Sequence, residues 1–250
     1  MAKVYFIGTG PGDPELLTLK AVKIISQADV LIYAGSLVNQ EILRYAQETS
    51  RVYNSAGLTL EEMLAIMKTA IEQDKIVARL HSGDPALYGA IGEQMELLEQ
   101  QGISFEVIPG VSSFLAAAAA LKREFTVPEV TQTVVITRLE GRTGVPEKES
   151  LSSLARHQTS MCIFLSVHMI EKVIEELKEG FSPDTPVVVI EKVTWPEEKI
   201  IRGNLKSIAQ LVKAEKIEKT AMILVGDFLR VKMKRSRLYD QSFAHGFRSL

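Results

Sequence analysis

Short apolar runs alternate along this chain with longer stretches whose apolar residues recur three and four positions apart. The first kind reads as buried strands, the second as amphipathic helices. Strands are expected at Val4–Ile7, Asp29–Tyr33, Arg51–Asn54, Ile76–Leu80 and Phe105–Ile108. Helices are expected among them at Glu15–Gln27, Gln40–Gln47, from Thr59 onward, at Gly89–Gln101 and at Phe114–Lys122. Leu16, Leu19, Val22, Ile24 and Ile25 form the apolar stripe of the first. Thr59 followed by Glu62 three residues later is a capping-box pattern. After Pro128 come expected strands at Thr131–Leu139, Met161–Ser166, Pro186–Ile190, Lys199–Arg202 and Ala221–Val225. Helices are expected there at Leu151–His157, His168–Gly180 and Leu205–Ala214. The alternation predicts an α/β protein. It divides into an N-terminal domain over 1–124, a C-terminal domain over 125–236 and a tail over 237–250, with the basic stretch Arg230–Arg237 across their boundary.

The turns between these elements carry the candidate chemistry. The stretch His81-Ser82-Gly83-Asp84-Pro85-Ala86-Leu87-Tyr88 joins an apolar strand to a helix. Such a turn sets bare backbone at the carboxyl edge of a sheet, where open α/β sheets bind ligands. Gly83 allows close approach, and Pro85 stiffens the turn. After the first strand comes Gly8-Thr9-Gly10-Pro11-Gly12-Asp13-Pro14. A dinucleotide fingerprint needs glycine where Asp13 stands, so that match fails, and no P-loop pattern is present. Pro109-Gly110-Val111-Ser112-Ser113 opens the helix with the run Ala116–Ala120. Ser112 and Ser113 can cap that helix or present polar groups to a ligand at its start. The segment Lys192-Val193-Thr194-Trp195-Pro196 reads as a loop and holds the only tryptophan.

Composition narrows the classes. The chain has 250 residues, 46% hydrophobic and 24% charged, with a net charge of −2. That balance offers no global basic field for nucleic acid. No apolar run reaches the roughly 20 residues of a membrane helix. The start leads straight into a strand pattern with no signal-peptide arrangement, and the single Cys162 cannot form an internal disulfide, so a cytoplasmic compartment is expected. His81, His157, His168 and His245 are dispersed, which predicts no metal site. There is no nucleophile elbow and no distinct carboxylate pair. A reaction needing neither metal nor protein nucleophile fits this inventory.

Four of these motifs, in this order and spacing, resemble the tetrapyrrole methylase family: the Gly8–Pro14 turn, Ser82-Gly83-Asp84-Pro85, Pro109–Ser113 and Phe164-Leu165-Ser166. The resemblance implies two α/β domains with S-adenosyl-L-methionine bound in the cleft between them, outside any Rossmann fingerprint. Tyr33–Val38, Asp84–Ala90, Thr131-Gln132-Thr133, Arg138–Thr143, Thr194-Trp195-Pro196 and His245–Arg248 are similar to the branch that methylates ring carbon C11 in cobalamin biosynthesis. Ala34 stands where the uroporphyrinogen-III branch carries Asp, and the Lys of that branch near Asn54-Ser55 is missing, which implies a different tetrapyrrole substrate. By motif, Pro11, Ser82, Gly83, Asp84, Leu87, Ser112, Ser113, Leu165 and Val193 are the expected donor contacts that the resemblance implies, with Ala221 or Met222 near the adenine. Arg138 and Arg142 are expected to meet substrate carboxylates, and Tyr88 and Glu140 to face the substrate. No catalytic residue is assigned. A homodimer is implied by the family alone. Rival expectations keep the fold with another ring carbon, an RNA or a diphthamide precursor as acceptor, or make the protein a non-catalytic tetrapyrrole carrier.

Overall fold

In the computed structural model, which describes residues 2–231 and Gly246, the chain divides into two α/β units. The first comprises the chain up to Ala116 together with Lys192–Glu198. The second comprises Ala117–Glu191 and the chain from Lys199 onward. The expected tail, His245 included, lies outside the described residues except for Gly246.

The first unit is built on five parallel strands: β1 (Lys3–Gly8), β2 (Val30–Tyr33), β3 (Arg51–Asn54), β4 (Ile76–His81) and β5 (Phe105–Ile108). Their order is β3-β2-β4-β1-β5. The strand period of two sends alternate residues to opposite faces. Ile7, Leu31, Ala78, Leu80 and Ile108 pack against α1 (Leu19–Ile25) through Ala21, Ile24 and Ile25. Val4, Phe6, Val30, Ile32 and Val77 pack against Leu64, Met67 and Ala70 of α2 (Leu60–Glu72) and Leu98 of α3 (Gly92–Gln100). Both faces are covered, which is why the strands read as unbroken apolar runs. The connection after β1 passes β4 to reach β2, and the one after β4 passes β1 to reach β5. Adjacent strands whose connections depart in opposite directions leave a crevice at their carboxyl ends. A fourth helix, α4 (Ser113–Leu121), follows β5.

The second unit has five strands in the order β6-β7-β10-β8-β9: β6 (Val134–Arg138), β7 (Ser160–Phe164), β8 (Pro186–Glu191), β9 (Lys199–Asn204) and β10 (Ala221–Val225). Only β6 and β7 are parallel. Met161, Ile163, Val187, Val189, Ile223 and Val225 face α5 (Leu151–Ala155), α6 (Ile170–Leu177) and α7 (Ile208–Ala214). Cys162 is buried in this sheet, and burial pushes its thiol up to about 12. It is an inert core residue.

Local rules account for the differences from the expected elements. The helix expected at Glu15–Gln27 is a 3-10 turn at Pro14–Leu16 followed by α1, because Leu17 is extended and the Thr18 side chain accepts from the Ala21 N–H as a new cap. That cap sets the phase, so Leu19 leaves the expected stripe and is 90% exposed. The helix expected at Gln40–Gln47 is a 3-10 run, Gln40–Tyr45. Thr131 turns back on Val127, so β6 starts only at Val134. The capping box forms: Glu62 N–H donates to Thr59 Oγ1 at 3.3 Å and Thr59 N–H to Glu62 Oε2 at 2.8 Å. No helix among the described residues is long and apolar enough to cross a membrane.

Candidate active site

Three turns meet at the carboxyl edge of β4, β1 and β5, and they meet backbone to backbone. A Cβ on Gly8 would lie 2.6 Å from Gly110 N and 2.7 Å from Gly83 O. A Cβ on Gly110 would lie 2.3 Å from Gly83 O. Gly83 N–H donates to Gly10 O at 2.8 Å, and Gly10 N–H donates to Gly83 O at 3.2 Å. Thr9 donates both its N–H and its hydroxyl to His81 O, each at 2.8 Å. No side chain separates these turns, so what they can offer a ligand is largely peptide groups.

Asp84 joins two of the turns. Its Oδ1 accepts from Ala86 N–H at 2.8 Å and its Oδ2 from Gly110 N–H at 2.9 Å. The carboxylate is therefore occupied in fixing backbone. Beyond it, Tyr88 and Ala90 both adopt left-handed φ, +57° and +48°. Such residues cost about 1–2 kcal/mol each and persist where the surroundings hold them. Gln94 Nε2 donates to Ala90 O at 2.8 Å and holds the second of them. Ser82 and Tyr88 are exposed, Leu87 and Ser113 half-buried, and Ser112 buried.

The turn after β1 has a second support. Trp195 Nε1 donates to Pro11 O at 2.8 Å, and Asp13 N–H donates to Thr194 Oγ1 at 2.9 Å. Asn39 Nδ2 donates to Gly12 O at 2.9 Å. Val193, in the same segment as Trp195, is buried. Thus the structure brings Pro11, Ser82, Gly83, Asp84, Leu87, Tyr88, Ser112, Ser113 and Val193 into the first unit. In the sequence, Thr194 and Trp195 stand in a loop and in a motif similar to the C11-methylating branch, but neither was expected at the site.

Beneath these turns lies a buried polar group on β4. Burial pushes Arg79 down to about 10, and its Nη1 donates to Ile32 O at 3.2 Å. Burial first and the Arg79 charge second push His81 down to about 3. His81 is therefore neutral near pH 7 and a poor proton acceptor. Among the described residues, no three His, Cys, Asp or Glu side chains gather as a metal site. A hollow of about 290 Å³ lined by Arg51, Tyr53 and Lys75 sits at the opposite, amino edge of the sheet, away from the glycine turns.

The other expected residues fall in the second unit. Leu165 follows β7 with φ +54° and is 61% exposed, an apolar side chain held outward by strained backbone. Ser166 beside it donates to Phe164 O at 2.6 Å and accepts from Leu139 N–H at 2.9 Å. Ala221 starts β10, and Met222 is buried within it. Arg138 donates to Thr143 O at 3.1 Å and Gly144 O at 2.7 Å. Its guanidinium is thereby engaged in shaping the loop that carries Glu140 and Arg142, both exposed.

Known proteins share the sequence and fold of this chain. Residues 3–209 match the family model for tetrapyrrole (corrin/porphyrin) methylases. A cobalt-precorrin-4 C(11)-methyltransferase of Methanocaldococcus jannaschii is 55% identical over 248 residues, 98% of this chain and 96% of that protein. The X-ray structure of a cobalt-precorrin-4 methyltransferase of cobalamin biosynthesis superimposes with a TM-score of 0.89 at 48% identity, covering 92% of this chain and 96% of that one. A uroporphyrin-III C-methyltransferase of Thermus thermophilus, complexed with S-adenosylhomocysteine, gives a TM-score of 0.75 at 28% identity, covering 93% and 96%. The glycine turns outside any dinucleotide fingerprint and the full-length similarity lead to one conclusion: this chain belongs to the tetrapyrrole (corrin/porphyrin) methylases.

Proposed function

We infer that this protein is an S-adenosyl-L-methionine-dependent C-methyltransferase that methylates C11 of (cobalt-)precorrin-4 in cobalamin biosynthesis. The observation that carries the reading is the 55% identity to a C(11)-methyltransferase across nearly the whole of both chains. When bound, S-adenosyl-L-methionine supplies a methyl group already activated by the positive charge on sulfur.

The residues of the first unit fit such a donor. A Cβ on Gly8 or Gly110 would collide with backbone, and Gly83 has a left-handed φ of +65°, so the edge presents peptide N–H and C=O groups. Those groups, with Pro11, Ser82, Asp84, Leu87, Ser112, Ser113 and Val193, are proposed to hold the donor. Leu165, Ala221 and Met222 are proposed on motif alone. An activated donor and an electron-rich ring carbon need little acid–base help, so the protein's work is orientation and exclusion of water. Well-oriented reactants can remove on the order of 7–11 kcal/mol of a barrier. His81, held neutral, is assigned no proton-transfer step. Arg142 is proposed to meet a substrate carboxylate, Arg138 to build the loop that presents it, and Tyr88 and Glu140 to face the macrocycle.

We further propose a homodimer, by family resemblance, to be checked by light scattering. The cytoplasm is the proposed compartment, on a single cysteine that allows no internal disulfide. A net charge of −2 supports a small-molecule acceptor over nucleic acid or an acidic membrane.

The test is an anaerobic incubation with S-adenosyl-L-methionine and cobalt-precorrin-4, following S-adenosylhomocysteine and locating the new methyl by NMR. A methyl at C11 is expected. A methyl elsewhere on the ring would move the protein to a sibling activity, and donor binding without turnover would make it a carrier.

A further inference from the structure

The segment Lys192–Glu198 belongs to the first unit, although the strands on either side of it, β8 and β9, pair with each other in the second. Two hydrogen bonds fasten it to the turn after β1. The Trp195 indole N–H donates to Pro11 O at 2.8 Å, and Asp13 N–H donates to Thr194 Oγ1 at 2.9 Å. The indole also fills the place of a side chain on Gly12: a Cβ there would lie 2.1 Å from the ring.

The segment holds this shape against its own backbone preferences. Lys192 has φ +48° and Thr194 φ +71°. A β-branched residue with positive φ is a genuine outlier, and such strain collects at functional sites where neighbours over-determine the geometry. Its neighbours hold that geometry. Thr194 N–H donates to Glu198 Oε2 at 2.8 Å, Trp195 N–H donates to Lys192 O at 2.9 Å, and the Lys192 ammonium lies 5.8 Å from the indole centroid. The Pro11 carbonyl and the Asp13 N–H are thus aimed by a segment far away in sequence. A turn rich in glycine and proline has no side chain of its own for that task.

We propose that Trp195 and Thr194 are positioning residues for the methyl donor. They hold the Pro11–Asp13 backbone in its donor-binding shape without touching the transferred methyl group. The inference rests on the donor site proposed above. Because Trp195 is the only tryptophan, its emission reports on that turn directly.

The test uses S-adenosylhomocysteine as the probe and equilibrium dialysis as a readout independent of tryptophan. With the wild-type protein, the emission of Trp195 is expected to titrate with the midpoint found by dialysis. Trp195→Phe keeps a ring but loses the donor to Pro11 O, and Thr194→Val loses the acceptor for Asp13 N–H. Each is expected to weaken binding about fivefold, the scale of one such hydrogen bond. Thr194→Ser keeps the acceptor and recovers most of that loss. In anaerobic turnover the KM for S-adenosyl-L-methionine should rise by the same factor in Trp195→Phe and Thr194→Val, with kcat nearly unchanged. Should Trp195→Phe fail to fold by circular dichroism, the Thr194 pair carries the test. Unchanged affinity in the folded variants, equal losses in Thr194→Ser and Thr194→Val, or a fall confined to kcat would overturn the inference. If the wild-type protein binds no S-adenosylhomocysteine by dialysis, the donor-site reading itself falls, and the inference with it.

Discussion

Asp84 Oδ2 accepts the backbone N–H of Gly110 at 2.9 Å, so one carboxylate ties the turn after β4 to the turn after β5, with β1 between them. The same group closes its own turn on Ala86 N–H. Asp84→Ala leaves both N–H groups without an acceptor. It is expected to cost about 2 kcal/mol of stability, the scale of a hydrogen bond to a charged group. Asp84→Asn keeps a single side-chain oxygen and loses less. Urea denaturation of both variants checks the order.

Gly110→Ala places a methyl group 2.3 Å from the carbonyl oxygen of Gly83. Neither partner is a side chain that can swing away, so the strand ends must separate. A loss of about 3 kcal/mol is expected, at the upper end for overpacking. Thermal melts measure it. Gly92→Ala, with open space around it, is the control on an equally local change.

Stability should fall on the acid side because of His81. Its ordinary value of 6.5 drops to about 3 in the folded protein. Between those values the unfolded chain binds the extra proton, so folding loses stability as pH falls from 6.5 toward 3. From pH 7 to pH 5 this one group removes about 2 kcal/mol, at 1.36 kcal/mol per pH unit below 6.5. Its contribution is fully present above pH 6.5. Denaturation midpoints at pH 7 and pH 5 are expected to lie closer together in His81→Leu than in the wild type.

Arg138 and Arg142 should behave differently despite being four residues apart. Arg138 donates to the carbonyls of Thr143 and Gly144, and Arg142 is exposed. Arg142→Ala is expected to raise the KM for the tetrapyrrole about tenfold with the melting temperature unchanged, as loss of a charged hydrogen bond to a carboxylate does. Arg138→Ala is expected to increase proteolysis of the 139–146 loop as well. Unchanged tetrapyrrole affinity in Arg142→Ala would remove that contact from the proposal.

Ala90→Gly relieves a left-handed residue at φ +48°. It is expected to stabilise the protein by about 1 kcal/mol, the steric penalty less the added freedom of the unfolded chain. The Gln94 bond to the Ala90 carbonyl does not depend on the side chain replaced. Chemical denaturation decides the sign.

The elements and turns were legible because their causes are local. A short unbroken apolar run makes a buried strand, Thr59 with Glu62 caps a helix, and Gly83 with Pro85 makes a turn. Phe105–Ile108 and Ala221–Val225 form strands with the expected bounds. The Thr18 cap that splits Glu15–Gln27 is equally local, a threonine whose hydroxyl accepts from the Ala21 N–H. The site is a different matter. That Gly8, Gly83 and Gly110 touch depends on the strand order β4-β1-β5, and contacts between bare backbones leave no side-chain pattern to find. That Arg138 is engaged by its own loop depends on where the Thr143 and Gly144 carbonyls point. That Trp195 holds Pro11, 184 positions earlier, depends on a hairpin turn leaving its own sheet. Periodicity records which face of an element is buried. Only the folded chain decides which distant peptide groups are brought within hydrogen-bond reach.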